Sequence, residues 1–166
     1  AGGFSGNNTM TLSGGGRMVT AGITIGGGTY TAGNDYGNNA LIISTPGTSG
    51  SKTWTNIGSQ NSDLYDFGAS VLGQNTDGNS IQISNGAYVD VPSGGKSFYI
   101  GSNRSTNLTD ILPDGSGNFV NQGGNNNYVS VDGPNTIFNR QSNSVTYVGF
   151  NGNGNHVDIT NGGRFN

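Results

Sequence analysis

Residues 149–165 read GFNGNGNHVDITNGGRF, and residues 2–18 read GGFSGNNTMTLSGGGRM. The two stretches align without a gap: Gly149 falls on Gly2, Asn155 on Asn8, Val157 on Met10, Ile159 on Leu12, Gly162 on Gly15 and Phe165 on Met18. The same frame fits four more times, anchored on Asn39, Asn79, Asn107 and Asn127. Six residues before the anchor stand Gly2, Gly33, Gly73, Gly101 and Gly149, with Asn121 in that place before Asn127. Two residues after it come Met10, Leu41, Ile81, Thr109, Val129 and Val157; four after it come Leu12, Ile43, Ile83, Ile111, Val131 and Ile159. Side chains of a strand alternate with a period of two, so the anchor and both apolar columns share one face. The residues between them, mostly Thr, Ser, Gln, Asp or His, face solvent. A turn follows, as Asn85-Gly86, Asp132-Gly133 or Asn161-Gly162, and then another apolar residue: Met18, Val89, Ile137 or Phe165.

Successive anchors are 31, 40, 28, 20 and 28 residues apart. A shortest period of 20 residues suits one turn of a parallel β-helix, with longer turns carrying loops at a corner. The fold expected is all-β, with almost no helix: one parallel β-solenoid domain, a β-helix, over residues 1–166, of about six irregular coils. The least regular insertion is 45–67, which contains Trp54. Stacked at strand spacing, the apolar columns become continuous aliphatic rows. The anchors Asn8, Asn39, Asn79, Asn107, Asn127 and Asn155 become an inward amide ladder, each side chain bonding the next.

The composition agrees. Gly supplies 32 of the 166 residues and Asn 25, while hydrophobic residues are 30% and charged residues 9%. So few apolar residues would point to disorder if the net charge were high, but it is only −3. The apolar residues also cluster, as Ile23-Thr24-Ile25, Leu41-Ile42-Ile43, Ile81-Gln82-Ile83 and Val129-Ser130-Val131, in short β-branched runs bounded by Gly and Asn. All nine acidic residues are Asp. A weakly acidic, sparsely charged surface gives no footprint for nucleic acid or anionic lipid. No apolar run approaches the length of a membrane span, so no membrane insertion is expected. With no Cys, the fold needs no disulfide. A start at Ala1-Gly2-Gly3 without Met fits a mature chain after leader removal.

Residues 147–163, YVGFNGNGNHVDITNGG, carry the repeat in its fullest form. This motif resembles the repeats of bacterial autotransporter passenger domains and related secreted adhesin or filament proteins, and in degenerate form it covers most of the chain. The resemblance implies an extracellular, right-handed parallel β-helix used for adhesion, biofilm matrix or surface fibres.

Chemistry-bearing clusters are sparse. His156, the single histidine, sits at an outward position beside Asp158 with no second His and no Cys to make a metal or catalytic set. Asp35, Asn75 and Asp77 lie in loops whose short oxygen side chains suit Ca²⁺, but without the full acidic spacing of a calcium loop; Asx turns are the plainer reading. Asp63 and Asp66 are the nearest thing to paired carboxylates of a polysaccharide-active enzyme, without the basic cluster such enzymes use on acidic substrates. The tyrosines and Trp54 offer sugar-stacking surfaces or simply coil packing. Among the Asn-x-Ser/Thr sites, Asn7 and Asn103 are the candidates for glycosylation, because Asn107 is an inward anchor.

No cofactor follows from these residues, calcium being the one ion with any candidate ligands, and no enzyme activity is expected. Both ends run straight into the repeat, where a monomeric solenoid usually carries a polar or helical cap. The function expected is that of a structural subunit of an extracellular filament or surface fibre. Copies would join head to tail through Phe4, Met10, Leu12, Val157, Ile159 and Phe165. The alternatives are a monomeric secreted adhesin or glycan-binding module whose partners are surface glycans, a polysaccharide-active β-helix enzyme, and a filament joined by strand exchange through residues 1–20.

Overall fold

The computed structural model describes residues 6–20, 23–27, 37–56, 70–74, 77–91, 98–102, 124–140, 146–150 and 153–166. These residues form fourteen strands and no helix: β1 (Thr9–Ser13), β2 (Met18–Thr20), β3 (Thr24–Gly27), β4 (Ala40–Ser44), β5 (Trp54–Asn56), β6 (Ser70–Gln74), β7 (Ser80–Ile83), β8 (Tyr88–Val91), β9 (Phe98–Ser102), β10 (Tyr128–Asp132), β11 (Ile137–Arg140), β12 (Thr146–Phe150), β13 (His156–Thr160) and β14 (Arg164–Phe165). They make three wholly parallel sheets, ordered β1-β4-β7-β10-β13, β2-β5-β8-β11-β14 and β3-β6-β9-β12. Each of β1 to β11 therefore pairs with the strand three places further along. The chain visits the first, second and third sheets in turn and then returns to the first.

The three sheets share one core. Leu41, Ile43, Ile81, Ile83, Val129 and Val131 come from the first, Trp54, Val89, Val91 and Phe138 from the second, and Ile25, Phe98 and Ile100 from the third. Register explains why so few apolar residues suffice. Leu41 lies beside Ile81 and Ile81 beside Val129, while Ile43, Ile83 and Val131 make the next row. Each buried aliphatic side chain contributes roughly 1.5–3 kcal/mol, and each is covered mainly by its own equivalents on adjacent strands.

The corner between the first and second sheets is built by turn chemistry. Gly14 and Gly15, Asn85 and Gly86, and Asn161 and Gly162 all have positive φ at two successive positions, the signature of a type I′ turn. The closing bonds are Gly16 N–H to Ser13 O at 3.0 Å, Ala87 N–H to Ser84 O at 3.1 Å and Gly163 N–H to Thr160 O at 2.9 Å.

Three details of the sequence reading are corrected. First, among the described residues the anchor-bearing sheet has five strands, and β7 pairs directly with β10, setting Ser80 beside Tyr128. The frame around Asn107 and Ile111, which the spacing set between those two strands, lies outside the described residues. Second, the buried residue after the Asp132-Gly133 turn is Phe138 and not Ile137. The turn there runs Gly133-Pro134-Asn135, one residue longer than Asn85-Gly86, and one residue reverses a strand's faces. Third, Trp54 is no part of an irregular insertion. It stands fully buried in β5 between Met18 and Val89, with its indole N–H donating to Thr20 Oγ1 at 3.0 Å.

Candidate functional site

The amide ladder is the most regular polar feature of the described residues. Asn8 donates its backbone N–H and side-chain amide to Asn39 Oδ1 at 3.1 and 2.8 Å. Asn39 does the same to Asn79 at 3.0 and 2.9 Å, Asn79 to Asn127 at 2.8 and 2.8 Å, and Asn127 to Asn155 at 2.9 and 3.1 Å. The second amide hydrogen goes to a backbone carbonyl: Asn79 to Asp77 O at 3.3 Å and Asn127 to Asn125 O at 3.0 Å, each on the chain's own approach to the strand, and Asn155 to Gly124 O at 2.8 Å, on the approach to the neighbouring β10. A carboxylate lacks the donor and a hydroxyl lacks the reach, so only Asn offers one acceptor and two donors this close to the backbone. Asn79 and Asn127 are fully buried and satisfied within the ladder.

Two further columns support it. Immediately before the ladder, Asn7, Asn38, Gly78, Asn126 and Gly154 all have positive φ. The sequence holds only Asn or Gly at these places, which was the available signal, since these residues enter the left-handed region most readily. In the third sheet, Gly26, Gly73, Gly101 and Gly149 share a level. A Cβ on Gly26 would collide with the side chain of Asn79, and one on Gly101 with that of Asn155. The glycine column thus makes room for the amides; Gly26, thirteen residues before Asn39, belongs to it.

The edges of the first sheet are β1 and β13. Along the inward columns burial falls from complete to partial: Ile43, Ile83 and Val131 are buried, Leu12 is half-buried, and Ile159 is 51% exposed. Met10 is 52% exposed, Val157 half-buried, and Val19 on the edge strand β2 is 68% exposed. Phe165 packs on Phe138 with ring centroids 4.8 Å apart. Phe4 lies outside the described residues. One edge therefore presents Asn8, Met10 and Leu12, and the other Asn155, Val157 and Ile159.

The remaining candidates are scattered. Asp77 Oδ1 accepts from Asn125 N–H and Nδ2 at 2.9 and 3.2 Å, an Asx bridge between neighbouring loops. No trio of His, Cys, Asp or Glu able to hold a metal occurs among the described residues. Asp35, Asp63, Asp66, Asn75 and Asn103 lie outside them, and Asn7 is exposed. His156 Nε2 lies 3.4 Å from Asp158, both half exposed, and its ring stacks on Tyr128 at 5.4 Å. No described helix is long and apolar enough to cross a membrane. Comparison with known proteins finds no matching family model, no matching curated protein and no matching solved structure.

Proposed function

We propose that this chain is a right-handed, three-sided parallel β-solenoid acting as a structural subunit of an extracellular filament or surface fibre, its copies stacking head to tail. The solenoid reading rests on each strand pairing with the third one along, together with the right-handed preference of parallel crossovers.

The observation that carries the filament reading is that the two open edges of the first sheet bear the same pattern in the same register. With β13 of one copy laid beside β1 of the next, Asn155 N–H and Nδ2 meet Asn8 Oδ1. Val157 then covers Met10 and Ile159 covers Leu12, which buries the exposed apolar side chains at both edges. The occupant of each edge is thus a second copy of this chain, joined by a heterologous contact that does not close. A net charge of only −3 on 166 residues opposes such stacking weakly. Electron microscopy of the purified protein over a wide concentration range tests it. Fibres with a subunit repeat along their axis are expected, and dispersed monomers throughout would reject the reading.

A second reading is favoured by one feature. On the outward face of the first sheet, Gln82 Nε2 donates to Tyr128 Oη at 3.0 Å, beside the Tyr128–His156 stack and Asp158. An aromatic ridge among hydroxyl and amide side chains suits a neutral glycan. Glycan-array binding by a stable monomer, lost in Tyr128→Ala, would favour an adhesin.

A further inference from the structure

The outward face of the second sheet carries a cluster the filament reading does not use. Thr55, Asp90 and Asn139 lie at one level on β5, β8 and β11. Their neighbours Trp54, Val89 and Phe138 fill the core, so these three point away from it. Asp90 is nevertheless buried, its side chain only 1% exposed. Lys52, which precedes β5, folds over it and sets Nζ directly against Asp90 Oδ2. From the other side Asn139 Nδ2 donates to Asp90 Oδ1 at 2.7 Å. One carboxyl group thus has an amine at one oxygen and an amide donor at the other.

We propose that Lys52 and Asp90 condense, after folding, into an intramolecular amide that staples the segment before β5 to β8. Lys52 Nζ first passes a proton to Asp90 Oδ2, which leaves a neutral amine facing a neutral acid. The nitrogen lone pair attacks Cγ, and the electron pair of the C=O bond moves onto Oδ1. There the Asn139 N–H steadies the developing negative charge, the role of an oxyanion-hole donor. A proton moves from nitrogen to Oδ2, the Cγ–Oδ2 bond breaks, and water leaves. The new C–N bond remains, and no oxidant, reductant or other reagent is consumed.

Burial assists the uphill step. A low-dielectric site penalises separated charges and favours the neutral pair that reacts. The contact with Asp90 raises the Lys52 pKa above the usual lysine range, so giving up the amine's proton is uphill and the bond forms slowly. The product replaces the contact of a partly exposed amine with a buried carboxyl group by a neutral amide. It also ties together residues 38 positions apart in a chain with no cysteine, a covalent lock suited to an exposed fibre but not dependent on fibre formation.

Denaturing intact-mass measurement of the full chain, followed by peptide mapping, tests the proposal. Expected are a mass short of the sequence value by one water and a branched peptide joining Lys52 to Asp90. Lys52→Arg, which keeps the charge, should restore the full mass with an unchanged β-sheet circular dichroism spectrum. Asn139→Ala should slow bond formation severalfold. In Asp90→Asn the same attack would expel ammonia instead of water. A full mass with a linear Lys52 peptide would overturn the proposal. So would loss of ammonia from the unaltered chain with a branch from Lys52 to Asn139, which would make Asn139 the acceptor.

Discussion

Asn79 donates its side-chain amide to Asn127 Oδ1 at 2.8 Å although 48 residues separate them in the chain. Asn79 Oδ1 at the same time accepts two hydrogen bonds from Asn39. Asn79→Ala would orphan both Asn39 donors in a dry interior and leave Asn127 Oδ1 with only the backbone N–H of residue 79, and each buried orphan costs about 1–3 kcal/mol. The expected loss, after partial relaxation, is about 2–4 kcal/mol in urea unfolding.

Asn79→Asp keeps the shape but replaces the donor by an acceptor facing Asn127 Oδ1. Burial and the opposed oxygen raise the folded-state pKa of this carboxyl above its unfolded value. The variant is therefore destabilised most at neutral pH. It regains stability as pH falls through the folded pKa toward the unfolded one, where the protonated acid again donates. Denaturation midpoints measured at pH 7 and near pH 4 check the sign: the gap to the unaltered protein should narrow at the lower pH.

Asn127→Ala probes the direct step of the ladder from Asn79 to Asn127. Because Asn79 bonds Asn127 without an intermediary, Asn127→Ala should cost about 2–4 kcal/mol, by the same orphaned partners.

This pair also shows what the sequence could reveal. The ladder at Asn8, Asn39, Asn79, Asn127 and Asn155, and the aliphatic rows beside it, were legible because a strand's two-residue period fixes them locally. Asn107 meets the same spacing and lies outside the described residues. Gly101, Asn107 and Ile111 satisfy the spacing perfectly, but which strand lies beside β7 is decided by tertiary pairing, to which local spacing is blind. Phe138 was missed because Pro134 adds a residue to a turn and shifts the phase. Lys52, Asp90 and Asn139 come from three different strand neighbourhoods with no shared spacing. Only the folded chain brings them together.

Two glycine substitutions should differ sharply. Gly14 has a φ of 60° and nothing within 4 Å of an added Cβ, so Gly14→Ala should cost only the left-handed backbone penalty, about 1–2 kcal/mol. Gly101 has a φ of 72°, and an added Cβ meets the Asn155 amide. Gly101→Ala should cost the same penalty plus a displaced rung, roughly 3 kcal/mol or more in all. Thermal melts of the two variants make the comparison, and a smaller loss at Gly101 would count against the glycine column's role in seating the ladder.

Head-to-tail stacking carries one electrostatic cost that can be measured. In the second sheet Arg164 lies beside Ile137, and Ile137 beside Tyr88. Met18 lies beside Trp54, and Trp54 beside Val89, so Arg17 stands at the level of Tyr88 and hence of Arg164. In-register stacking therefore brings the exposed Arg164 of one copy against the exposed Arg17 of the next. Two like charges about 5 Å apart in a water-like medium repel by roughly 1 kcal/mol. Salt screens much of this as the Debye length shrinks from about 30 Å at 0.01 M to a few ångströms near 1 M. The concentration needed for assembly should fall about fivefold over that range of sodium chloride, as roughly 1 kcal/mol per contact implies. In Arg164→Ser the threshold should already be low at 0.01 M, and the salt dependence should largely vanish, by light scattering. Fibres whose threshold ignores both salt and this substitution would mean that copies meet in another register.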